Sequence, residues 1–284
     1  MKHLTITFFI LGISIGSQMF EARNPSTQSQ VDIVGKLDSD TLVYPYPVKI
    51  APRLLKRAAP NSAFGVGEKL FYTVRYGPVA AGTASMEVVE IVRYKGNKCF
   101  RIVSKAKSNK FFSVFYKVDD KAESWMDVYG LYSWHFEKHL REGGYTADRY
   151  IDFDQENHLA VNGNDTIPVP EFVQDVLSSL YFVRTLNLKV DNSVFIDNHA
   201  DRKNYPLEVK VLRKEEVEVP AGRFNCLVVE PILKATSLFK QTGKLTVWLT
   251  DDQYKIPVLM KSKVAVGSIS TELKSYTLGT IGKY

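Results

Sequence analysis

The stretch Leu70–Tyr76, which reads LFYTVRY, decides the fold class because its residues alternate with a period of two. Every second residue from Leu70 to Tyr76 is large and apolar, while Thr73 and Arg75 lie between them. In an extended chain such residues share one face, so one face can be buried and the other can meet solvent. The stretch therefore predicts a half-buried β-strand.

Similar stretches follow along most of the chain. Residues 83–93 and 97–107 flank Lys95-Gly96-Asn97, a sequence typical of a hairpin turn. Further strands are predicted at 119–127, 131–141, 145–153, 158–162, 193–198, 205–213, 215–219, 224–233, 243–250, 257–266 and 268–278. Regular short strands of this kind predict a mainly β fold: a strongly curved antiparallel sheet, either a barrel or a half-barrel, of about ten strands.

One segment has a different period. From Pro170 to Leu186 the apolar residues recur at the spacing of a helical stripe, and Pro170 suits a first helical turn. We expect one main helix over 170–186, packed on the sheet. The stretch Phe111–Tyr116, FFSVFY, fits either a short helix or a buried strand.

Composition sets limits on function. The 284 residues are 45% hydrophobic and 24% charged, as in soluble globular proteins, which excludes global disorder. The net charge of +6 favours anionic ligands, such as lipid headgroups or lipopolysaccharide phosphates. The sequence has no phosphate-binding loop and no dinucleotide fingerprint, so no cofactor is predicted.

The N-terminal region predicts export. A short basic start and the apolar run 4–16 are typical of a cleaved signal peptide, assigned to residues 1–22. Residues 23–62 are rich in proline and predict an extended or flexible arm, and residues 63–284 form a single β-rich domain. The first cysteine is Cys99, which argues against a lipoprotein. We therefore expect a mature chain that spans no membrane and is periplasmic, or associated with the periplasmic side of the outer membrane, where nucleic acid is no partner.

Two cysteines, Cys99 and Cys226, lie in apolar, strand-like surroundings. An oxidising compartment permits a disulfide between them. The alternative is two separately buried thiols, because a free cysteine packs as a small apolar residue.

An ordered set of short motifs resembles one family. The set is Phe64-Gly-Val-Gly-Glu-Lys-Leu-Phe-Tyr72, Ala81-Gly-Thr-Ala84, Phe111-Phe112 with Tyr116–Asp119, Ser124-Trp-Met-Asp127, Asp175–Arg184, Val219–Phe224 and Trp248-Leu-Thr-Asp251. The chain resembles, over about residues 64–278, the bacterial envelope family catalogued as domain of unknown function 3108. The resemblance implies an exported, β-rich, non-catalytic domain, mostly in Gram-negative bacteria, and carries over no catalytic residue.

Two polar clusters could hold a metal ion. His135 and His139 would share one strand face, and Asp154 and His158 alternate in a nearby polar stretch. The alternatives are a solvated strand face for the first pair and a turn between strands for the second. We expect no metal; the residues that would bind one are His135, His139, Asp154 and His158.

These observations favour a non-enzymatic protein that binds an amphipathic or anionic envelope ligand, such as lipid or lipopolysaccharide. Arg184 would contact the headgroup, or else anchor the helix to the sheet. The residues predicted to bind the ligand are Tyr72, Tyr76, Trp125, Tyr181, Arg184 and Trp248. One alternative is a structural or protein-interaction module of the envelope that holds its partner through residues 23–62. Another is a hydrolase or metal-dependent enzyme that uses the polar clusters.

Overall fold

A computed structural model describes residues 57–233, 245–263 and 267–282, which form fourteen β-strands and two α-helices. The strands are β1 (Lys69–Tyr76), β2 (Val79–Tyr94), β3 (Asn97–Ser108), β4 (Asp119–Asp127), β5 (Ser133–Glu142), β6 (Tyr145–Asp154), β7 (Leu159–Asn162), β8 (Asp165–Pro168), β9 (Ser193–Ala200), β10 (Lys203–Val219), β11 (Gly222–Leu233), β12 (Leu245–Thr250), β13 (Pro257–Lys263) and β14 (Ser268–Thr277). The helices are α1 (Lys110–Phe115) and α2 (Val176–Thr185). Neither of these two described helices has the length and hydropathy of a transmembrane span. The predicted signal peptide, 1–22, and most of the predicted arm, 23–62, lie outside the described residues.

The alternation in β1 places its apolar residues as expected. Leu70, Tyr72 and Val74 are buried, whereas Lys69 and Phe71 are exposed. The same alternation recurs in β5, so one face of the sheet carries the core.

All fourteen strands belong to one antiparallel sheet, in the order β8-β7-β6-β5-β4-β3-β2-β1-β14-β13-β12-β11-β10-β9. Each neighbouring pair is antiparallel, which confirms the mainly β, antiparallel prediction. The strand count is higher than the predicted ten. Among the fourteen strands, β8, Asp165–Pro168, matches none of the predicted stretches, and β10 covers two of them.

The sheet curves around helix α2. This helix packs against β4 and also against β9, which are the fifth and the fourteenth strands in the sheet order. In a flat sheet, with about 4.8 Å between neighbouring strands, β4 and β9 would lie about 40 Å apart. A helix only about 10–12 Å across can touch both strands only if the sheet bends back on itself. The predicted strong curvature, with the main helix packed on the sheet, is therefore confirmed.

The segment before α2 closes the curved sheet through its backbone. The Gln174 amide donates to the Asp197 carbonyl at 2.9 Å, and the Gln174 carbonyl accepts from the His199 amide at 2.8 Å, both on β9. On the other side, the Ser133 amide of β5 donates to the Val173 carbonyl at 3.3 Å. This segment therefore bridges the two arms of the sheet.

Side chains from the turn after β9 and from the start of β10 contact β8, at the other end of the sheet, and we call this contact the seam. Arg202, in the turn after β9, forms an ion pair with Asp165 of β8. The Asn204 side chain donates to the Pro168 carbonyl at 2.8 Å. The fold is therefore a barrel in which part of the wall is joined by side-chain contacts.

The predicted helix over 170–186 begins too early. Helix α2 starts at Val176, after Asp175, whose carboxylate accepts from the Leu177 and Ser178 amides as an N-cap. Phe172 has a φ of 59°, which a right-handed helix cannot contain. The residues before Asp175 are instead held in the bridge to β9.

Strand β10 also differs from the prediction of two strands at 205–213 and 215–219. It is one strand, Lys203–Val219, with a register shift between Val211 and Arg213 against β11. A bulge of this kind interrupts the alternation in the sequence without ending the strand.

The two cysteines are free and buried, so the alternative of two separate thiols is confirmed. Burial raises the pKa of each thiol, Cys99 and Cys226, to about 12. We expect negligible labelling of the native protein by a thiol reagent at pH 8, and two labels per chain in denaturant without reductant. Mass spectrometry gives the count, and an unlabelled chain in denaturant would contradict free thiols.

Candidate binding surface

Three of the predicted ligand-binding residues, Tyr72, Tyr181 and Arg184, lie together in the interior. All three are buried, and the Arg184 guanidinium lies 4.9 Å from the centre of the Tyr181 ring. Its Nη1 and Nη2 donate to the two carboxylate oxygens of Glu68 at 2.8 and 2.6 Å. Burial alone would lower the pKa of Arg184, but the Glu68 carboxylate raises it above its usual value. The Arg184 side chain therefore holds α2 to Glu68, which directly precedes β1, as the anchoring alternative predicted.

The other three predicted residues lie apart from this cluster. Tyr76 is half-buried, with its ring 6.3 Å from that of Phe112. Trp125 is half-buried on the outer face, where its ring lies 4.7 Å from His135. Trp248 is buried beneath Lys261. The structure therefore divides the six residues among several places, and ligand contact by any of them stays a prediction.

The polar residues of the resembling motifs meet inside the barrel. Glu68 from the first motif pairs with Arg184 from the helical motif, 116 positions away. Asp175, from the same helical motif, accepts from Ser124 Oγ at 2.6 Å, and Ser124 belongs to the Ser-Trp-Met-Asp motif. The spacing of these residues in the sequence could not predict that they pair, because the contacts join segments that are distant along the chain. Their role in the structure is to fix α2 against the sheet.

His135 and His139 lie on the outer face of β5, with Glu137 between them, as the strand alternative predicted. The His135 Nδ1 atom lies 2.5 Å from Asp152, and the His139 Nδ1 atom lies 2.8 Å from Asp148, both on β6. The Nε2 atoms lie 3.7 and 3.6 Å from different oxygens of Glu137. The result is a ladder of imidazole and carboxylate groups across two strands.

The contacts in this ladder are those of imidazoles hydrogen-bonded to carboxylates. A zinc ion needs its nitrogen ligands at about 2.0–2.1 Å, whereas here a whole carboxylate group stands between the two imidazoles. Within the described residues, no group of three or more His, Cys, Asp or Glu side chains is placed to hold a metal ion.

The hydrogen bonds of the ladder also affect the pKa of Asp152. Burial acts to raise this pKa, but hydrogen bonds from Tyr94, His135 and Lys95 hold it below its usual value.

Asp154 and His158 flank the turn between β6 and β7. Both carboxylate oxygens of Asp154 accept from Asn157, from its backbone amide at 3.0 Å and its side chain at 2.7 Å. His158 has a φ of 56°, which fits a tight turn. The turn alternative therefore describes both residues.

Sequence reasoning missed the most exposed apolar surface of the described chain. Helix α1 joins β3 to β4, and its Phe111, Val114 and Phe115 side chains are 65%, 80% and 76% exposed. The Phe111 and Phe115 rings lie 5.6 Å apart and form a continuous apolar ridge. We call α1 with its flanking residues 105–119 the α1 corner. The sequence FFSVFY carried the signal, but the apolar residues gave no indication that they face solvent.

The α1 corner also carries lysines. Lys105, Lys107, Lys110 and Lys117 are all exposed, and Lys107 pairs with Asp119 at 3.0 Å. Exposed aromatic side chains bordered by cations form a surface that is both apolar and positively charged. Such a patch marks an interaction site more often than a random surface does.

Comparisons with solved structures find proteins of low sequence identity. A β-barrel-like protein of domain of unknown function 1849 from Brucella abortus has a TM-score of 0.49 at 10% identity, covering 77% of this chain and all 100% of its own. A Bacteroides fragilis protein classed as exported, with a YmcC-like fold, has a TM-score of 0.31 at 13% identity and covers 78% and 99%. A domain of unknown function 1089 protein from Pseudomonas aeruginosa has a TM-score of 0.36 at 9% identity and covers 64% and 90%.

The family comparison agrees with the resemblance in the motifs. The search of curated proteins finds no match. The family model described as "Protein of unknown function (DUF3108)" matches residues 72–274, most of the described sheet. This chain therefore belongs to the DUF3108 family of proteins of unknown function.

Proposed function

We propose that this protein is a non-enzymatic component of the bacterial envelope that binds an anionic, amphipathic ligand, such as lipid or lipopolysaccharide. The observation that carries the proposal is the α1 corner, where exposed apolar side chains lie among lysines. An amphipathic anion offers acyl chains to the first group and phosphates to the second. The net charge of +6 adds a general attraction to anionic material.

The predicted place of action supports the same proposal. The N-terminal apolar run predicts export to the periplasm, where phospholipid and lipopolysaccharide are the abundant amphipathic anions. The mature chain would act there as a protein without a lipid anchor. The alternative, an interaction module that holds a protein partner through residues 23–62, gives no role to the α1 corner.

Binding to a panel of envelope lipids tests the proposal. We expect the purified full chain to bind vesicles of phosphatidylglycerol and aggregates of lipopolysaccharide, and to bind pure phosphatidylcholine at least about tenfold more weakly at low salt. Dextran sulfate, an anion without acyl chains, serves as the control for charge alone.

Two outcomes would contradict the proposal. Failure to bind any anionic lipid at low salt would refute lipid recognition. Equal affinity for dextran sulfate and phosphatidylglycerol would refute the amphipathic part, because charge alone would then account for the binding.

A further inference from the structure

We propose that the α1 corner inserts its apolar ridge into the surface of an anionic lipid bilayer. This inference rests on the proposed function and specifies its mode: the protein docks on a membrane surface through one loop, with the barrel wall intact. The two ideas are separable, since a lipid could be bound elsewhere on the protein.

The ridge has the shape that insertion requires. Phe111, Val114 and Phe115 stand at positions i, i+3 and i+4 of a helix, so they project from one side of α1. Each is more than half exposed, so these side chains are available to a partner. Bulky apolar side chains on one face of a short helix are typical of segments that enter the boundary between headgroups and acyl chains.

The ridge is also held in place by the barrel. Phe112, on a neighbouring side of the helix, is half-buried against Tyr76. The Asn109 side chain accepts from the Phe112 amide at 2.8 Å and donates to the Ala80 carbonyl at 2.7 Å, which ties the start of α1 to β2. Because the helix is already anchored, docking would cost little additional conformational entropy.

The positive charge of the α1 corner favours an anionic bilayer as its partner. Four exposed lysines, Lys105, Lys107, Lys110 and Lys117, lie in the α1 corner, and Asp119, the exposed acidic residue of the same segment, pairs with Lys107. An anionic bilayer complements both features, because its headgroups meet the lysines while its acyl region takes the ridge.

Two other occupants fit the charge less well. In a symmetric dimer, a second copy would bring the same lysines face to face, which like-charge repulsion opposes. The segment 23–56 of this chain carries more Lys and Arg than Asp and Glu, so it also repels this surface. The bilayer is the occupant whose charge is opposite.

Vesicle flotation of full-chain variants tests the insertion. The double variant Phe111→Ser/Phe115→Ser should bind phosphatidylglycerol vesicles at least about tenfold more weakly than the wild type, because each buried phenylalanine contributes about that factor. The matched control is Phe195→Ser, since Phe195 is a phenylalanine of similar exposure, 62%, on β9. We expect the control to bind within about twofold of the wild type.

A charge-reversal double variant tests the role of the lysines. Lys110→Glu/Lys117→Glu should weaken binding to phosphatidylglycerol vesicles by about tenfold or more, and the difference should shrink as salt is added. Circular dichroism and the urea midpoint show whether each variant is folded. A Phe115→Trp variant reports insertion through the difference between its emission and that of the wild type, which already has three tryptophans. This difference emission should shift to shorter wavelength on addition of phosphatidylglycerol vesicles and be quenched by brominated acyl chains.

The outcomes separate the inference from the proposed function. If the wild type binds anionic lipid and folded Phe111→Ser/Phe115→Ser binds equally well, insertion by α1 is wrong while lipid binding stands. If no anionic lipid binds the wild type, the proposed function is wrong as well. If the emission of the Phe115→Trp variant is already shifted without vesicles, the inference is overturned in favour of a cover by protein, and sedimentation would then distinguish a second copy from the chain's own N-terminal segment.

Discussion

Replacing Arg184 by methionine should lower the free energy of unfolding by about 3–5 kcal/mol, the largest effect expected for a single substitution in this barrel. The change leaves the Glu68 carboxylate with 0% exposure and without its cation. It also leaves the Ala63 and Tyr254 carbonyls without the donors that Arg184 supplies at 3.2 and 3.0 Å. Urea unfolding followed by circular dichroism measures the loss.

The double variant Glu68→Leu/Arg184→Met separates the missing charge from lost packing. Apolar residues in place of a buried ion pair are often neutral or even stabilising, so most of the lost stability should return. The matched surface control is Arg223→Met, which breaks a pair with Glu218 in which the two side chains are 64% and 74% exposed. The control should cost less than about 1 kcal/mol. A cost for Arg184→Met as small as that of the control would mean that the pair is open to water.

Replacing Asp175 by alanine should cost about 3 kcal/mol, the second largest expected effect. The change removes the N-cap of α2, which contributes about 1 kcal/mol, and leaves two buried hydroxyl groups without their acceptor. Those hydroxyls are Ser124 Oγ and Ser133 Oγ, each 2.6 Å from Asp175 Oδ2. The same urea measurement applies, and Asp154→Ala, in an exposed turn, is the control.

The pH dependence of stability tests the environment of Asp175 separately. Burial raises the pKa of this carboxyl above its usual value, although hydrogen bonds from Ser124 and Ser133 act to lower it. A raised pKa in the folded state adds stability that is fully present below the unfolded pKa of about 3.9 and is lost as pH rises through the folded value. Compared with the isosteric Asp175→Asn variant, the wild type should therefore gain stability between pH 7 and pH 4. An unchanged difference would contradict the raised pKa.

The sequence predicted the parts of the fold that depend on local pattern. Alternation located β1 to within one residue, and it located the nine residues of β4, Asp119–Asp127, at their observed bounds. The turn at Lys95-Gly96 was also predicted from its residue types. In the structure both residues adopt positive φ, 48° and 88°, a conformation that glycine favours. These features need no knowledge of distant residues.

What the sequence could not predict depends on contacts between distant segments. Glu68 gave no sign of its buried partner, Arg184, because a charged residue beside a strand usually meets solvent. The start of α2 was placed too early because the bridge formed by Gln174 to β9 competes with the helix. The ridge of Phe111 and Phe115 was missed because apolar composition alone does not distinguish a buried strand from an exposed corner.

The seam at β8 has a consequence for the exposed edge of the sheet. The end strands of an open sheet present backbone groups that can template the strands of another molecule. Here the contacts of Arg202 with Asp165, and of Asn204 with Pro168, hold the two ends against each other. Asn204 thus takes up one backbone carbonyl of β8 that a strand of another molecule would otherwise bind, so the polar side chains of the seam oppose intermolecular strand addition.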